Sequence, residues 1–466
     1  MGISESMGER RDLTQGSLPR TILGMAFPVM AGMALNSLYS LVSAFWLGKM
    51  ETGAREALAA VGPSAALTFI VVAFGMGFGS GGTALVAQYT GARRPREADK
   101  AAGQTMILLT VSTTVLTALM YLFAPQVLSA LRTPPEVMPD AVAYLRITLI
   151  GVPFTAFNIG YGSALRALGD TMTMVAVAFG ANVVNFALSP PLIFGWGPIP
   201  AMGVRGAAVV AAVSSMLTAL ACLVLLHRGR AGLRLTWQDF RPDWPMVRQI
   251  VRIGLPAGVS MSSNSIGFLV LQGMINSLGA TVMGAFTVGS RMVEILGVPA
   301  SALAVSTASV VGQALGAGKA QLARRAVRLS VWMYALGMFL PYALVTIFGQ
   351  GVARGFTHDE GIIVEAGRFF LLVPASNYCF NILMVVMAAF YGSGHTRPVM
   401  VISLLRQWVL RIPIALLLGY GLGMGSVGLY WGLVIGNLIS AVLAWWAFRT
   451  GEWERAVVPA RGDGET

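Results

Sequence analysis

Glu294 is a carboxylate set deep in a long apolar segment, 282–315, and Arg291 stands three residues before it. An ionisable group at the middle of a bilayer costs about 2.5–3.5 kcal/mol on insertion scales, so it needs a partner or water. The spacing puts Arg291 on the same helical face as Glu294. Two chemistries are open to the pair. It is either a structural ion pair or a carboxylate that takes up a proton or holds a substrate. Neutral polar residues recur at helical spacing nearby. Ser260, Asn264 and Gln272 lie four and eight residues apart in 247–278, with Asn276 four beyond Gln272, and Asn377 and Asn381 share a face of 362–391. In lipid such side chains bond across helices for about 1 kcal/mol or less each. As a group, with Asn36 and Asn185 of the first half, they are the expected polar lining of a cavity. Met33, Met384 and Met387, drawn from 25 methionines, would supply adaptable apolar lining. Arg406 and Arg411 fall in 397–420. Arg406 is close enough to the segment's start to snorkel to the interface, whereas Arg411 is deeper and needs a partner. An interior touched by arginines suits anionic or zwitterionic compounds. Enzyme chemistry is not indicated. The three histidines, His227, His358 and His395, have no metal-ligand spacing. A phosphate-binding Gly-x-x-x-x-Gly-Lys loop is missing, which argues against direct ATP drive. Neither a metal nor an organic cofactor is expected.

The elements that must hold these residues are membrane spans. Charged residues are 11% of the 466 and hydrophobic ones 56%, with a mean hydropathy of +0.71. Such a chain cannot cover a water-facing surface, since soluble domains carry about 25% charged residues. Apolar runs of the length that crosses hydrocarbon recur from end to end. They predict an all-α polytopic membrane protein of about twelve transmembrane helices in two pseudo-symmetric six-helix bundles. The first six are 21–47, 58–89, 101–123, 137–165, 172–194 and 203–226. The second six are 247–278, 282–315, 323–348, 362–391, 397–420 and 426–448. The domain reading is a tail over 1–20, a lobe over 21–227, a linker over 228–246, a lobe over 247–449 and a tail over 450–466. Basic residues gather on one side: Arg10, Arg11 and Arg20, then Arg93, Arg94 and Arg96, then the linker, then Lys319, Arg324 and Arg325, and finally Arg449 and Arg455. By the positive-inside rule both termini lie in the cytoplasm of a cell with this protein in its inner (plasma) membrane. The same bias accounts for the net charge of +12, so nucleic acid is not expected as a partner. The expected partners are small organic substrates and the lipid bilayer, with the protein a monomer. Cys222 and Cys379 fall within apolar spans and read as small hydrophobes.

The chain repeats itself at an offset of roughly 220–230 residues, far beyond any solenoid period. Pro28 and Asn36 recur as Pro256 and Asn264; Val61-Gly62 as Val288-Gly289; and Gln88 with Gly91-Ala92 as Gln313 with Gly316-Ala317. Gly169-Asp170-Thr171 recurs as Gly394-His395-Thr396, and Met202-Gly203 as Met424-Gly425. Two like halves can rock about a shared centre and expose it to each side in turn. Pro28 and Pro256, at matching places, are the hinge candidates, because each removes a backbone donor from its helix.

Several runs in these positions resemble one family. They are ALRALGDT at 164–171, NFALSPPLIFG at 185–195, MGVRGAA at 202–208, VGSRMVE at 288–294, VGQALGAG at 311–318 and SLLRQWVLRIP at 403–413. Together they resemble the prokaryotic multidrug and toxic compound extrusion (MATE) transporters, over nearly the whole chain. The resemblance implies twelve helices in two bundles, alternating access, and export of amphiphilic organic compounds or drugs driven by inward proton or sodium flow. It also exposes departures. Members commonly carry an acid on the first span, in a context like that of Ser43, and many carry a second on the fifth span, four residues after an asparagine and just before a proline. Here Asn185 and Pro190 are kept, but the acid's place is held by Ser189. A serine cannot take up a proton near neutral pH. Coupling, if present, must then use another acid, and Glu294 is the one carboxylate that this reading places well inside a span. An uncoupled facilitator, or a flippase for lipid-linked substrates on a related fold, are the competing readings.

Overall fold

A computed structural model gives the architecture. It describes residues 11–48, 54–130, 136–196, 200–229, 232–233 and 235–458, without the side chains of 38–44, 47–48, 54–63, 66, 130 and 237. Every regular element is helical: α1 (Leu18–Gly48), α2 (Ala54–Gly91), α3 (Pro95–Leu122), α4 (Ala124–Ala130), α5 (Met138–Ala167), α6 (Met172–Phe194), α7 (Gly203–His227), α8 (Trp244–Asn276), α9 (Ala280–Gly316), α10 (Ala320–Ile347), α11 (Gly349–Arg354), α12 (Glu360–Ser393), α13 (Arg397–Leu404), α14 (Ile412–Leu416) and α15 (Gly425–Arg449). Wide π-type turns over Leu405–Arg411 and Leu417–Gly421 flank α14, so that Arg397–Gly421 runs as one span. Among the described residues, twelve helices are long and apolar enough to cross a membrane.

The duplication seen in the sequence is a duplication of packing. In the first half α2 packs on α3 and α5, α3 on α5, and α7 on α5 and α6. In the second half α9 packs on α10 and α12, α10 on α12, and α15 on α12 and α14. The pattern of neighbours is the same. Each half also adds a short helix after its third span, α4 and α11, which hydropathy over long windows does not register. Two repeated glycines have a backbone reason. Gly169 and Gly394 close α5 and α12 with φ of 84° and 80°, a region that side chains with a Cβ rarely adopt. After Gly169, Asp170 caps the next helix by accepting from the Thr173 amide at 3.0 Å.

Two compact units are present. The first holds Phe27–Gly258, the second Leu13–Ala26 and Val259–Thr466. Membership thus changes within α1 and within α8, next to Pro28 and Pro256, while both helices run on through their prolines. Within the first unit, Gly77 and Gly81 of α2 meet Gly254 and Gly258 of α8. A Cβ on Gly77 would stand 2.2 Å from the Gly258 nitrogen, and one on Gly81 would stand 2.9 Å from the Ile250 carbonyl oxygen. Small residues four apart on both helices allow this backbone approach.

The segment after the sixth span is clamped in each unit. In the first, Lys100 pairs with the Asp243 carboxylate. The Gln104 side chain donates to the carbonyls of Asp239 (2.8 Å) and Arg241 (2.6 Å) and accepts from the Asp243 amide (3.1 Å). In the second, Glu454 accepts from Arg324 at 2.9 and 2.5 Å, and Trp453 is fully buried and stacked on Phe448. Lys100 and Arg324 both lie in the first two turns of the third span of their halves.

Two predictions follow from this packing. Gly77→Ala should destabilise the protein by about 1–3 kcal/mol through overpacking, while Gly24→Ala, which meets nothing within 4 Å, should leave it unchanged or slightly stabilised. Thermal midpoints of the two purified variants compare them, and equal midpoints would refute the close approach. The Asp243 carboxyl is held below its ordinary value by the Lys100 hydrogen bond and then by the Met246 amide. A depressed carboxyl stabilises the clamp above its unfolded pKa of about 4 and loses that contribution as pH falls through the lowered value. Asp243→Asn should therefore speed trypsin cleavage after Arg248 at neutral pH. Cleavage at the wild-type rate would show that the ion pair does not hold the linker.

Candidate functional site

In the first unit the expected site lies on α6. Asn185 and Ser189 are 1% and 2% exposed. Ser189 donates its hydroxyl to the Asn185 backbone carbonyl at 2.7 Å, a common use of serine in lipid spans. Both ends of the Asn185 side-chain amide are buried without a hydrogen-bond partner. These two residues present neutral dipoles and no carboxylate. Asn36 is exposed on α1, and Ser43 lies on the same helix with its side chain outside the described residues. The pair of α6 residues does not fit a titrating site, because a hydroxyl already committed to a carbonyl accepts no proton near neutral pH.

In the second unit the polar residues are engaged in the following hydrogen bonds. Gln272 donates to Asn276 at 3.0 Å, in an exposed pair. Asn381 donates to the Tyr342 hydroxyl at 2.7 Å and to Asn377 at 2.9 Å, beneath a cluster in which Tyr378 stands 5.4 Å from Tyr342. Ser260 donates to Ser403 at 2.7 Å. Asn264 does not join Gln272 eight residues on; its oxygen accepts from Arg406 at 2.8 Å. Arg291 and Glu294 do pair, at 3.1 Å, with side chains 71% and 65% exposed. Glu294 therefore has its carboxylate open to its surroundings, and Arg291 is its one ion-pair partner among the described residues.

Two features depart from the sequence reading. Arg406 does not snorkel. It is 5% exposed, with its guanidinium 4.2 Å above the Phe380 ring. Nor is Glu294 the sole carboxylate inside a span. Glu365 lies in the first turns of α12, and its side chain is 8% exposed. It pairs with Arg368 at 3.1 Å and accepts from the buried Tyr430 hydroxyl of α15 at 3.1 Å. Glu365 and Arg368 repeat the three-residue spacing of the Arg291 and Glu294 pair. That spacing was the available signal; the tyrosine 65 residues away was not visible. The more exposed acid is thus free to respond to its surroundings, while the buried one is fixed between two donors. Among the described residues no three His, Cys, Asp or Glu side chains gather as metal ligands.

A sequence profile of the MatE family matches residues 28–190 and 256–417, one match in each half. The chain belongs to the MatE family. Among its relatives, the probable multidrug resistance protein YoeA of Bacillus subtilis (strain 168) is 24% identical over 89% of this chain and 90% of its own length. The FAD transporter of Shewanella oneidensis is 26% identical, over 94% of this chain and 96% of its own. The fold superposes on the crystal structure of MATE in the bent conformation with a TM-score of 0.86 at 26% identity, covering 94% and 96% of the two chains. As a member of this family, the chain is a multi-pass membrane transporter of twelve spans.

The contrast between the two acids is measurable. Glu365→Ala strands the Tyr430 hydroxyl and should cost about 1–3 kcal/mol. Glu294→Ala removes an exposed pair and should cost about 1 kcal/mol at most. Thermal unfolding of both variants in the same detergent tests the order, and a larger loss for Glu294→Ala would reverse the assignment.

Proposed function

We propose that this MatE transporter exports amphiphilic organic compounds across the inner membrane by alternating access, with both termini in the cytoplasm. The observation that carries the reading is the family match in both halves, set on twelve spans with the same internal packing in each half. The basic residues of the linker and of the loops after α2 and α9 support the orientation. The protein works without an organic cofactor or resident metal, as a monomer in lipid, on small molecules and not on nucleic acid. It is a carrier, not an enzyme. Drug-like compounds and, by likeness to the Shewanella relative, flavin adenine dinucleotide are the substrates to test first.

Coupling runs through Glu294 in this reading. Its carboxylate is exposed and answers to one arginine, so protonation would release Arg291 and change the charge of that face of α9. A change of this kind biases a two-state carrier only if the states solvate the carboxylate differently. Ser189 takes no part, since its hydroxyl is engaged by the Asn185 carbonyl. Uncoupled facilitated diffusion is the second reading, favoured by the neutral α6 site.

Purified protein in liposomes, with proton or sodium gradients imposed in turn, decides between them. Flux should follow one gradient in the wild type, keep its pH dependence in Ser189→Ala, and lose gradient drive in Glu294→Gln. Gradient-driven flux unchanged in Glu294→Gln would remove that carboxylate from coupling. Wild-type flux indifferent to both gradients would leave the facilitator, and no flux of any compound in the panel would remove the exporter reading.

A further inference from the structure

Two guanidiniums stand inside the second unit without a carboxylate. Arg406 and Arg411 occupy the π-type turns between α13 and α14, a helix distortion often found at functional sites. Every hydrogen bond they make goes to a neutral amide. Arg406 donates to Asn264 at 2.8 Å, and Arg411 donates to Gln407 at 3.2 Å and Asn437 at 3.1 Å. From α8, α12 and α15 the pair is met by Asn264, by the Phe380 ring and by Asn437, none of them ionisable. Two donors in the cluster remain bare: the side-chain nitrogen Nε2 of Gln407, a residue fully buried, and Nε of Arg411. A buried and a half-buried cation, with unused donors beside them, lack one thing, which is an acceptor that carries negative charge.

We propose that Arg406, Gln407 and Arg411 form an anion subsite that takes a phosphate or carboxylate group of a transported compound. The proposal rests on the exporter reading and narrows it to substrates with an anionic group. Arg411 supplies the free Nε–H and the forked geometry that suits an oxyanion, and Arg406 adds charge from one turn away. Asn264 and Asn437 orient the two guanidiniums without neutralising them, so their charge stays available. Gly267 sets the place of Gln407, because a Cβ there would come within 2.0 Å of its Nε2.

The test uses the full-length protein in detergent, with inorganic phosphate as the first probe at constant ionic strength. Phosphate should raise the thermal midpoint of the wild type in a saturable way. Arg411→Gln should lose the shift, or need about tenfold more phosphate or beyond. Arg411→Lys, which keeps the charge and guards against a folding defect, should retain part of it. No shift in the wild type, or an equal shift in Arg411→Gln, overturns the subsite. Flavin adenine dinucleotide and riboflavin then separate the sources of the anion, since only the first carries phosphate. A shift with the dinucleotide, absent with riboflavin and absent in Arg411→Gln, supports a substrate group. A shift with inorganic phosphate alone makes the site one for a free anion and overturns the substrate assignment. Flux in liposomes keeps the two readings apart. Flux with no Arg411-dependent anion effect removes the subsite and leaves the exporter, whereas Arg411-dependent binding without flux of any compound does the reverse.

Discussion

Hydrocarbon offers no hydrogen-bond partner, and most of what is particular to this structure answers that one constraint. Backbone groups are satisfied inside helices, which is why the regular elements are helical throughout. Hydroxyl side chains turn back on their own helices: Thr83 donates to the Gly79 carbonyl, Thr105 to Ala101, Thr113 to Leu109 and Ser306 to Ala302. Larger polar groups are met by other helices, as Asn381 is by Tyr342 and Trp408 by Ser263. Some buried side-chain groups are left without a hydrogen-bond partner, among them the Asn185 amide in one unit and the donors of Gln407 and Arg411 in the other.

The two halves solve the same problem with related means and different outcomes. Each builds its bundle on the same helix neighbours, closes its fourth span on a glycine with positive φ, and ties down the chain after its sixth span from a basic residue on its third. The polar content of the interiors has diverged. The first unit holds neutral Asn185 and Ser189 on α6. The second holds the Glu365 pair, the tyrosine and asparagine cluster around Tyr342, and two arginines. A duplicated frame preserves packing, because helix contacts tolerate only small residues at their closest points, while interior polar groups are free to take different roles in each copy.

Charge placement separates structural from responsive groups. Glu365 is enclosed by Arg368 and Tyr430, so its charge is fixed by two donors, one of them buried. Glu294 keeps most of its carboxylate open and holds a single exposed arginine. The two carboxylates therefore differ in the number and the exposure of their partners, and only that of Glu294 is largely uncovered.

The amino-acid sequence by itself determined the twelve spans, their boundaries within a few residues, the duplication and the family. It also placed a neutral residue, Ser189, between Asn185 and Pro190 on α6. These are legible because hydropathy and motif order are properties of contiguous residues, on the length scale of one helix. The short α4 and α11 escaped it, being too brief to register as spans. The tertiary structure alone decided which polar side chains meet. Asn264 turns to Arg406, 142 residues away, and not to Gln272 on its own helix; Glu365 meets Tyr430; and Arg406 lies on Phe380, not at the interface. Such pairings depend on the rotation of each helix about its axis and on side-chain direction. A span whose apolar residues surround it on all sides leaves both unspecified, and packing against its neighbours fixes them.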